Sequence, residues 1–421
     1  MSKTILLIVR RHAGEIDWIL PLLHRFKNKN KIITIFSNKD AFLSLKNNKT
    51  LFLLWTKICK EYTIEKKSNR FFWKVLDFLL NKLASKNYNN TTFRNYIITR
   101  IFNIEKTIYK KFFLNNVDLV FIEHGNPTYL PNVLKEKDKN TKIIRFPEST
   151  MFFANKKENP FFKNKRKVFN TYGDIFLFCS KNNMEHFFSG ENYKKISPKI
   201  IYSNQLRYED WWKKKFLRKK SKNKYFTILV ALRNFNNDYF HKKSYYKTLD
   251  DICSLTKNLK DIKLIFKIHP QEINENQLKK DINVLDKKNY IITKDHMMTL
   301  SVEADLCISI LTSACFDSII SNVPTIEYYD VKKEIKLSPK AKEFLHLTYE
   351  KKNKKWSTVF KFNKILKNVD NYEELLKEIR KIKLQKKINK NQHNSYHEKL
   401  VNLSNYGKSS LDLYNLLKKI N

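Results

Sequence analysis

The chain has 421 residues, of which 42% are hydrophobic and 14% aromatic, so it is long and apolar enough for two domains that each bury a core. Its 83 Lys and Arg outnumber its 41 Asp and Glu, which gives a formal net charge of +42. Such an excess favours an anionic partner, whether nucleotide, lipid headgroup or nucleic acid. The abundance of Lys, Asn and Ile also indicates an AT-rich coding bias, so much of the lysine can be solvated surface without a partner.

Neither the cysteines nor the apolar runs indicate a secreted or membrane-spanning chain. The five cysteines form no CxxC pair, which argues against a disulfide framework or a zinc site and fits a reducing compartment. No apolar run approaches the roughly 18 residues that span a bilayer. We therefore expect a cytoplasmic protein, and leave open a peripheral position at the inner face of the plasma membrane.

In the first half of the chain, predicted strands alternate with helices, as in a Rossmann-like, doubly wound sheet. A helix is predicted over residues 16–26, and residues 39–113 are predicted to be mainly helical, with a strongly apolar helix over 71–80. The predicted strands cover residues 4–9, 31–36, 117–122, 142–146, 175–179 and 199–202.

Residues 211–224 break this pattern, since they combine two tryptophans with a run of Lys and Arg. A second alternation follows, with predicted strands at 226–232, 263–268, 290–293, 306–310 and 325–329. We thus predict an α/β protein with an N-terminal Rossmann-like domain (1–210) carrying a helical insertion, a linker (211–224), a C-terminal Rossmann-like domain (225–365) and basic C-terminal helices (366–421).

Polar residues follow the predicted strands of both halves, at the point where each strand ends. Ligands of parallel α/β sheets bind outside the carboxyl ends of the strands, and two such sheets facing across a cleft would form one site. The polar residues at strand ends are Arg10, Arg11, His12, Glu123, His124, Ser180, Lys181, His269, Thr312 and Ser313.

The stretch from residue 304 to 330 reads as strand, tight turn, short helix and strand, and it is the best candidate for a phosphate site. Thr312 and Ser313 stand at the predicted helix start, where free backbone N–H groups and the helix dipole face an anion. The alternative is that they merely cap their own helix. Two acidic residues nearby, Asp317 and Glu327, are candidates to accept hydrogen bonds from ribose hydroxyls.

Two histidines are candidates for roles in chemistry. Pro270 holds His269 in an extended backbone, from which the imidazole could donate to a leaving phosphate. His124 precedes a glycine after a strand and suits a general base, with Glu123 as the alternative base or as the group that orients His124. The alternative is that both histidines are ordinary turn residues. The sequence contains no Walker-type P-loop, GxGxxG, DxD or HExxH motif.

These residues resemble the CDP-glycerol glycerophosphotransferase family and the wider group of GT-B-type transferases that build surface, or capsular, polysaccharides. The resemblance covers roughly residues 117–330. The residues that carry it are His124-Gly125, His269-Pro270, Thr312-Ser313, Phe316-Asp317 and Val323-Pro324.

The resemblance implies a GT-B architecture, an acceptor domain first and a nucleotide-donor domain second, and no metal. It makes His269, Thr312 and Ser313 phosphate binders and His124 the base. Asn126 stands where the family carries a small hydroxyl residue, and the phosphate turn lacks the family's Asp-Tyr-Ser-Ser. A CMP-, CDP- or UDP-linked sugar is therefore the first expectation, with glycerophosphotransfer as the alternative.

Three further interpretations stay open at this stage. An epimerase acting on nucleotide sugars would share the fold. A basic nucleic-acid-binding protein would explain the charge but not the strand-end residues, and no signature of that class is present. The aromatic and basic residues of Trp211–Lys220 could bind an anionic membrane near a saccharide or lipid-linked acceptor, or could simply pack between domains.

Overall fold

The computed structural model describes most of the chain. The described residues are 2–65, 97, 99–100, 103–126, 129–147, 158–161, 173–188, 199–217, 224–233, 240–269, 275–344, 346–384 and 390–420. The predicted apolar helix over 71–80 lies outside them, and so do Pro270 and residues 218–220 of the basic segment.

The first lobe is built on a seven-stranded sheet, and every strand pair in it is parallel. The strand order is β3-β2-β1-β4-β5-β6-β7, so the direction of winding reverses between β1 and β4. The strands are β1 Thr4–Val9, β2 Lys31–Phe36, β3 Glu61–Ile64, β4 Leu119–Glu123, β5 Lys142–Phe146, β6 Ile175–Phe178 and β7 Lys199–Tyr202. Strand β3 corrects the mainly helical prediction for 39–113; it is short and lies at the sheet edge, so its apolar pattern is weak.

Helices cover this sheet on both faces, which is why its strands are buried along almost their whole length. The helices are α1 Ala13–Phe26, α2 Lys39–Asn47, α3 Lys49–Thr56, α4 Ile104–Phe112, α5 Tyr129–Lys137 and α6 Lys181–Phe188. Trp18 of α1 is fully buried and stacks on Phe146 of β5, with ring centroids 5.8 Å apart.

The second lobe is built on a six-stranded parallel sheet of order β10-β9-β8-β11-β12-β15, which reverses between β8 and β11. An antiparallel hairpin of β13 and β14 lies beside it. The strands are β8 Phe226–Ala231, β9 Ile262–Lys267, β10 Tyr290–Thr293, β11 Leu306–Ser309, β12 Thr325–Tyr328, β13 Leu347–Glu350, β14 Lys355–Thr358 and β15 Lys367–Val369. Strand β15 falls within 366–421, which was predicted to be helical.

The helices after the first lobe are α7 Asp210–Lys213, α8 Lys242–Asn258, α9 Glu275–Asp281, α10 Met297–Glu303, α11 Cys315–Ile320, α12 Val331–Leu337, α13 Val359–Phe362, α14 Tyr372–Leu384, α15 Lys390–Ser404 and α16 Ser410–Lys418. Short 3-10 helices occur at Leu206–Tyr208, Lys287–Asn289 and Pro339–Glu343.

The C-terminal helices return to the first lobe after the second lobe is complete. The backbone of Gln205 donates to Ser404, and Ser203 forms a parallel bridge with Lys408. Tyr414 of α16 packs edge-on against Phe26 of α1, with centroids 4.8 Å apart. The last described helix is therefore part of the first lobe's core.

Segment 211–217 packs between the lobes. Trp212 and Phe216 are buried, and Phe216 stacks on His296 of the second lobe with centroids 4.0 Å apart. These two aromatic side chains are therefore not available for insertion into a membrane. Among the described residues no helix is both long and apolar enough to cross a bilayer.

Candidate functional site

The carboxyl edges of the two sheets face one another. Asp295 follows strand β10, and its carboxylate accepts hydrogen bonds from the backbone N–H of Thr50 (2.9 Å) and from its hydroxyl (3.2 Å) at the start of α3. The next residue, His296, contacts Asp17 in the first turns of α1, with Nε2 and Oδ1 3.0 Å apart. The loop that follows β10 of the second sheet therefore contacts α1 and α3 of the first lobe.

Arg207 joins the two lobes through a buried ion triad. Its Nη1 lies 2.5 Å from Asp17 Oδ2 of α1, and its Nη2 pairs with Asp317 of α11. Tyr208 also donates to Asp317, at 2.8 Å. Burial raises the pKa of Asp17, but the attraction of Arg207 and His296 outweighs it and holds that pKa below its usual value. The carboxylate of Asp317 is thereby engaged between the lobes, and its contact with ribose stays a prediction.

At the edge of the first sheet, Arg11 lies between two buried carboxylates. Glu15 accepts from the backbone N–H groups of Arg10 and Arg11, both at 2.9 Å, and from Arg11 Nε at 3.3 Å. Arg11 Nη2 lies 2.8 Å from Glu123 Oε2, which also accepts from the N–H of Gly125. Burial and the negative charge of Glu123 raise the pKa of Glu15. The Arg10 and Arg11 loop and Glu123 therefore meet beside the β1–β4 switch point, where doubly wound sheets bind ligands.

The other candidates of the first lobe have structural contacts. His124 is 3% exposed, and its ring lies among Phe176, Phe178 and Phe187 with centroids 4.4–5.9 Å away. Its ring is therefore packed among aromatic side chains, and the role of general base stays a prediction.

Anion binding by His12, Ser180 and Lys181 also stays a prediction. His12 caps α1 by accepting from Gly14 N–H at 3.1 Å. The Ser180 hydroxyl accepts from Asn183 N–H at 3.0 Å and so stabilises the start of α6. Lys181 is exposed and lies 3.8 Å from Glu185 one turn along the same helix.

At the edge of the second sheet, the turn after β11 contains an unusual backbone conformation. Leu311 adopts a left-handed conformation (φ +45°), and its carbonyl accepts from Arg233 Nη1 at 2.5 Å. Ser309 donates to the carbonyl of Thr312 at 3.1 Å, and Ala314 N–H donates to the Thr312 hydroxyl at 3.4 Å. Helix α11 begins only at Cys315 and has six residues, so Thr312 and Ser313 belong to the turn before it.

Lys267 is a candidate that sequence reasoning missed. It ends strand β9, two residues before the partly exposed His269, and is 8% exposed, with Nζ donating to the carbonyl of Ile268 at 2.9 Å. Burial lowers its pKa to about 8 although Asp295 and Asp317 favour the charged form. Lysine is the commonest residue in this basic chain, so a single buried one gives no signal in the sequence.

Glu327 lies in the core of the second lobe, and its contact with ribose stays a prediction. Its Oε2 accepts from the Thr358 hydroxyl at 2.6 Å and from Asn368 Nδ2 at 3.2 Å, and the residue is fully buried. Burial raises its pKa to about 7 despite these hydrogen bonds.

Known proteins share the architecture at low sequence identity. Over the full length of both chains, TcCGT1 in complex with UDP superposes with a TM-score of 0.56 at 9% identity. The S. aureus MnaA–UDP structure gives 0.54 at 13% identity, covering 99% of this chain and 96% of that chain. UDP-GlcNAc 2-epimerase from Neisseria meningitidis bound to UDP-GlcNAc gives 0.52 at 11% identity, covering 99% and 100%.

The chain has the GT-B fold. Its two parallel sheets, their facing carboxyl edges and the returning C-terminal helices fit that architecture, as the sequence resemblance implied. No protein-family model matches the sequence, and no curated protein matches it. The narrower resemblance to CDP-glycerol transferases therefore gains no support. Among the described residues, no group of three or more His, Cys, Asp or Glu is arranged to hold a metal ion.

Proposed function

We propose that this GT-B protein transfers a sugar from a nucleotide-activated donor to an acceptor hydroxyl, in the assembly of a surface polysaccharide. The observation that carries the proposal is the pair of facing sheet edges, each with charged side chains at its switch point, Arg11 and Glu123 in the first sheet and Arg233 in the second. Structural neighbours bound to UDP or UDP-GlcNAc support a nucleotide-sugar donor. A glycerophosphate donor stays an alternative on the sequence resemblance alone.

In this proposal the second lobe holds the donor phosphates. His269, Thr312 and Ser313 would donate hydrogen bonds, and the Lys267 ammonium would add positive charge behind them. Donors fixed before the reaction stabilise the charge that develops on a departing phosphate, which is the task a metal ion performs in other transferases. Pro270 lies outside the described residues, so its part in orienting His269 stays a prediction.

Replacing His269 by Ala tests the donor site directly. We expect nucleotide affinity, measured by calorimetry with UDP, CDP, CMP and GDP, to fall about tenfold for whichever nucleotide binds best, corresponding to roughly 1.4 kcal/mol. The control is His241→Ala, because His241 lies on the same lobe and its side chain caps α8. If none of the four nucleotides binds the native protein, or if the two variants behave alike, the assignment of the donor site fails.

Epimerisation of a nucleotide sugar is a second candidate, favoured by the similarity to the Neisseria meningitidis UDP-GlcNAc 2-epimerase. The two reactions differ in what they release. A transferase frees nucleotide only when an acceptor is present, whereas an epimerase interconverts two nucleotide sugars without any acceptor. NMR of a nucleotide-sugar mixture with and without added saccharide separates them.

We also propose that the protein attaches to an anionic membrane, through the charged rather than the aromatic side chains of residues 211–217. Since Trp212 and Phe216 are buried, the contact would be electrostatic and made by the exposed lysines of the segment, such as Lys214 and Lys215. Flotation with anionic vesicles at low and high salt tests it, and absence of binding at low salt would exclude it.

A further inference from the structure

The side chain of Phe113 projects into solvent from the end of helix α4. It is 91% exposed, more than any other large apolar side chain among the described residues. Its backbone is left-handed (φ +51°), a conformation that strains every residue with a Cβ and that glycine adopts without cost. Phe113 thus combines a strained backbone with an aromatic ring in water, and a contact outside the protein would explain both.

The end of α4 requires a left-handed residue at this position. Phe113 N–H donates to the carbonyl of Lys110 at 3.4 Å, and Leu114 N–H reaches back to Tyr109 at 2.9 Å, which is the hydrogen-bond pair of a Schellman motif. Leu114 packs against the core beside α4, as the motif requires. Glycine is the usual residue where Phe113 stands. The backbone is therefore accounted for by the motif, whereas the aromatic side chain is not.

Phe113 lies at the amino edge of the first sheet, on the opposite side from the cleft. It follows α4 and precedes β4, and Lys31 Nζ, at the start of β2, donates to the last carbonyl of α4 at 2.7 Å. Lys31 N–H donates to the carbonyl of Lys3 at 2.9 Å. On the other side of β1, Lys142 N–H donates to Asp118 at 2.9 Å. The starts of β1, β2, β4 and β5 therefore form one surface with Phe113 beside it, which we call the amino-edge face.

The amino-edge face is basic. Its carboxylates among the described residues include Glu61, which lies 3.3 Å from Lys31 Nζ, Asp118, which accepts from Thr4 N–H at 2.7 Å, and Asp138, which accepts from Asn140 N–H at 2.9 Å. Its lysines include Lys3, Lys29, Lys31, Lys110, Lys111 and Lys142. An exposed ring within an excess of positive charge is complementary to a surface that is both anionic and amphipathic.

The lysines of residues 211–217 reach the same edge. Burial, then the charges of Lys27 and Lys57, lower the pKa of Lys215, so these three side chains lie close together. Lys27 follows α1 and Lys57 follows α3, and each stands just before a strand of the first sheet. The basic segment and Phe113 therefore belong to one side of the first lobe.

We infer that the amino-edge face docks on an anionic lipid bilayer, with the Phe113 ring inserted among the headgroups and the lysines facing the lipid phosphates. The inference rests on the membrane attachment proposed above and adds an aromatic anchor to it. Aromatic rings favour the interfacial region, and lysines close to an anionic leaflet are attracted to it. A second copy of this chain is disfavoured as the partner, because it would bring the same lysines together.

This orientation places the cleft away from the bilayer. The strands of the first sheet run from the amino edge to the carboxyl edge, and the six residues of β1 span about 20 Å. The acceptor hydroxyl would then stand about that far from the headgroups. Such a distance suits the end of an extended saccharide chain better than a sugar joined directly to a lipid.

Flotation of the full chain with phosphatidylcholine vesicles, with and without phosphatidylglycerol, tests the docking. We expect the native protein to bind the anionic vesicles, and Phe113→Gly to bind them about fivefold more weakly or worse, because the buried ring is lost. Phe113→Trp should keep native binding, since indole also favours the interface. The control is Leu384→Gly at the end of α14, where an apolar side chain is 83% exposed on the second lobe, and its binding should equal that of the native protein.

The same substitution separates docking from folding. Because glycine adopts the left-handed backbone without strain, Phe113→Gly should melt at the native temperature or above it. A variant that is no less stable and yet binds vesicles poorly is not expected of a residue with a structural role. A melting temperature lowered by more than about 3 °C would show that Phe113 packs within the protein, and would overturn the inference.

The lysines are tested by Lys29→Gln/Lys110→Gln, at two exposed positions of the amino-edge face. Each lysine near an anionic leaflet strengthens binding about fivefold, so the double variant should bind at least about tenfold more weakly and with a smaller salt dependence. Lys351→Gln/Lys352→Gln removes the same charge from an exposed hairpin turn of the second lobe. Its binding should stay within about twofold of native, because charges far from the bilayer are screened.

Three results would overturn the inference. The first is absence of binding to anionic vesicles, and the second is a Phe113→Gly variant that binds them as the native protein does. If Lys214→Gln/Lys215→Gln then abolishes binding, the attachment through residues 211–217 stands without the amino-edge face. The third is tight binding of single-stranded RNA that Phe113→Gly weakens while vesicle binding is unchanged, which would assign the face to nucleic acid. Nucleotide binding is measured on the same variants without vesicles, so a failure of the proposed transfer reaction is seen separately.

Discussion

At the scale of single residues, the carboxyl group of Glu327 has hydrogen bonds from the described residues at only one of its two oxygens. Its Oε2 has two donors, but its Oε1 is buried with no hydrogen-bond partner among the described residues. A buried carboxylate with an unsatisfied oxygen favours the protonated form, and the pKa of Glu327 is raised to about 7. The folded protein therefore holds a proton here that the unfolded chain releases near pH 4.5.

This proton links stability to pH. The contribution of Glu327 is fully present below about pH 4.5 and is lost as pH rises through 7, and it amounts to about 3 kcal/mol. We expect Glu327→Gln, which mimics the protonated form, to lose less stability than the native protein between pH 5 and pH 8 in urea unfolding. Glu373→Gln, at an exposed position, should follow the native protein. Parallel pH profiles for the native protein and Glu327→Gln would contradict this account.

Single residues also show which features of the site could be predicted from the sequence and which could not. Ser313 and His269 lie beyond the ends of their strands, as their neighbours in the sequence predicted. Glu327 was chosen for its proximity to the phosphate turn, but alternation along β12 turns it towards Thr358 and Asn368 of later elements. Lys267 gave no signal, because its burial near Asp295 and Asp317 of later elements is what sets it apart.

At the scale of elements, the end of α1 and the segment after α7 bring several positive charges together. The guanidinium of Arg25 lies 4.0 Å from the centre of the Trp211 ring, with Lys215 Nζ 5.6 Å from the same centre. Burial, then Lys27, Lys215 and Arg25, lower the pKa of His24 to about 4. The pKa of Lys215 is likewise lowered, by burial and by neighbouring lysines and Arg25.

Since like charges so close together oppose folding, removing one should stabilise the protein. We expect Lys215→Met, which keeps the aliphatic stem beside the indoles, to raise the melting temperature by about 1–3 °C at low salt. The gain should shrink at high salt, where the charges are screened. Lys352→Met, at an exposed hairpin turn, provides the comparison. A melting temperature unchanged or lowered by Lys215→Met would show that the cluster is not a source of instability.

Elements with strong hydrophobic patterns were the predictable part of the fold. The central strands β1, β2, β4, β8, β9 and β11 are buried on both faces and were predicted from unbroken apolar runs. The short edge strands β3 and β15 were missed, whereas the equally exposed edge strands β7 and β10, each with two adjacent isoleucines, were predicted. Apolar runs alone do not identify which strands lie at a sheet edge, whereas the strand order of each sheet does.

At the scale of the whole molecule, the two lobes are fixed by a charge network that no local pattern could reveal. Asp17, Arg207 and Asp317 are separated by 190 and 110 residues along the chain, yet they form one buried triad. Arg207 stands in the short 3-10 helix at Leu206–Tyr208, where the sequence predicted only the end of a domain.

Removing the arginine tests how much this triad contributes to the stability of the protein. Arg207→Met leaves two buried carboxylates without their cation, so we expect a loss of about 3–5 kcal/mol in the free energy of unfolding. The variant Asp17→Asn/Arg207→Met/Asp317→Asn removes the uncompensated charge and should regain at least half of that loss. Measurement is by urea unfolding at pH 7. Stability within 1 kcal/mol of native for Arg207→Met alone would mean that water or rearrangement compensates the carboxylates.

The return of the C-terminal helices has a consequence for how the protein is made. A ribosome releases residues in order, so the first lobe emerges while helix α16, with its buried Leu413 and Leu417, has yet to be synthesised. Until then the surface of α1 around Phe26 lacks its cover. The lobe that is translated first can therefore be among the last to be completed, and a nascent chain would have to shield this apolar helix for almost the whole of translation.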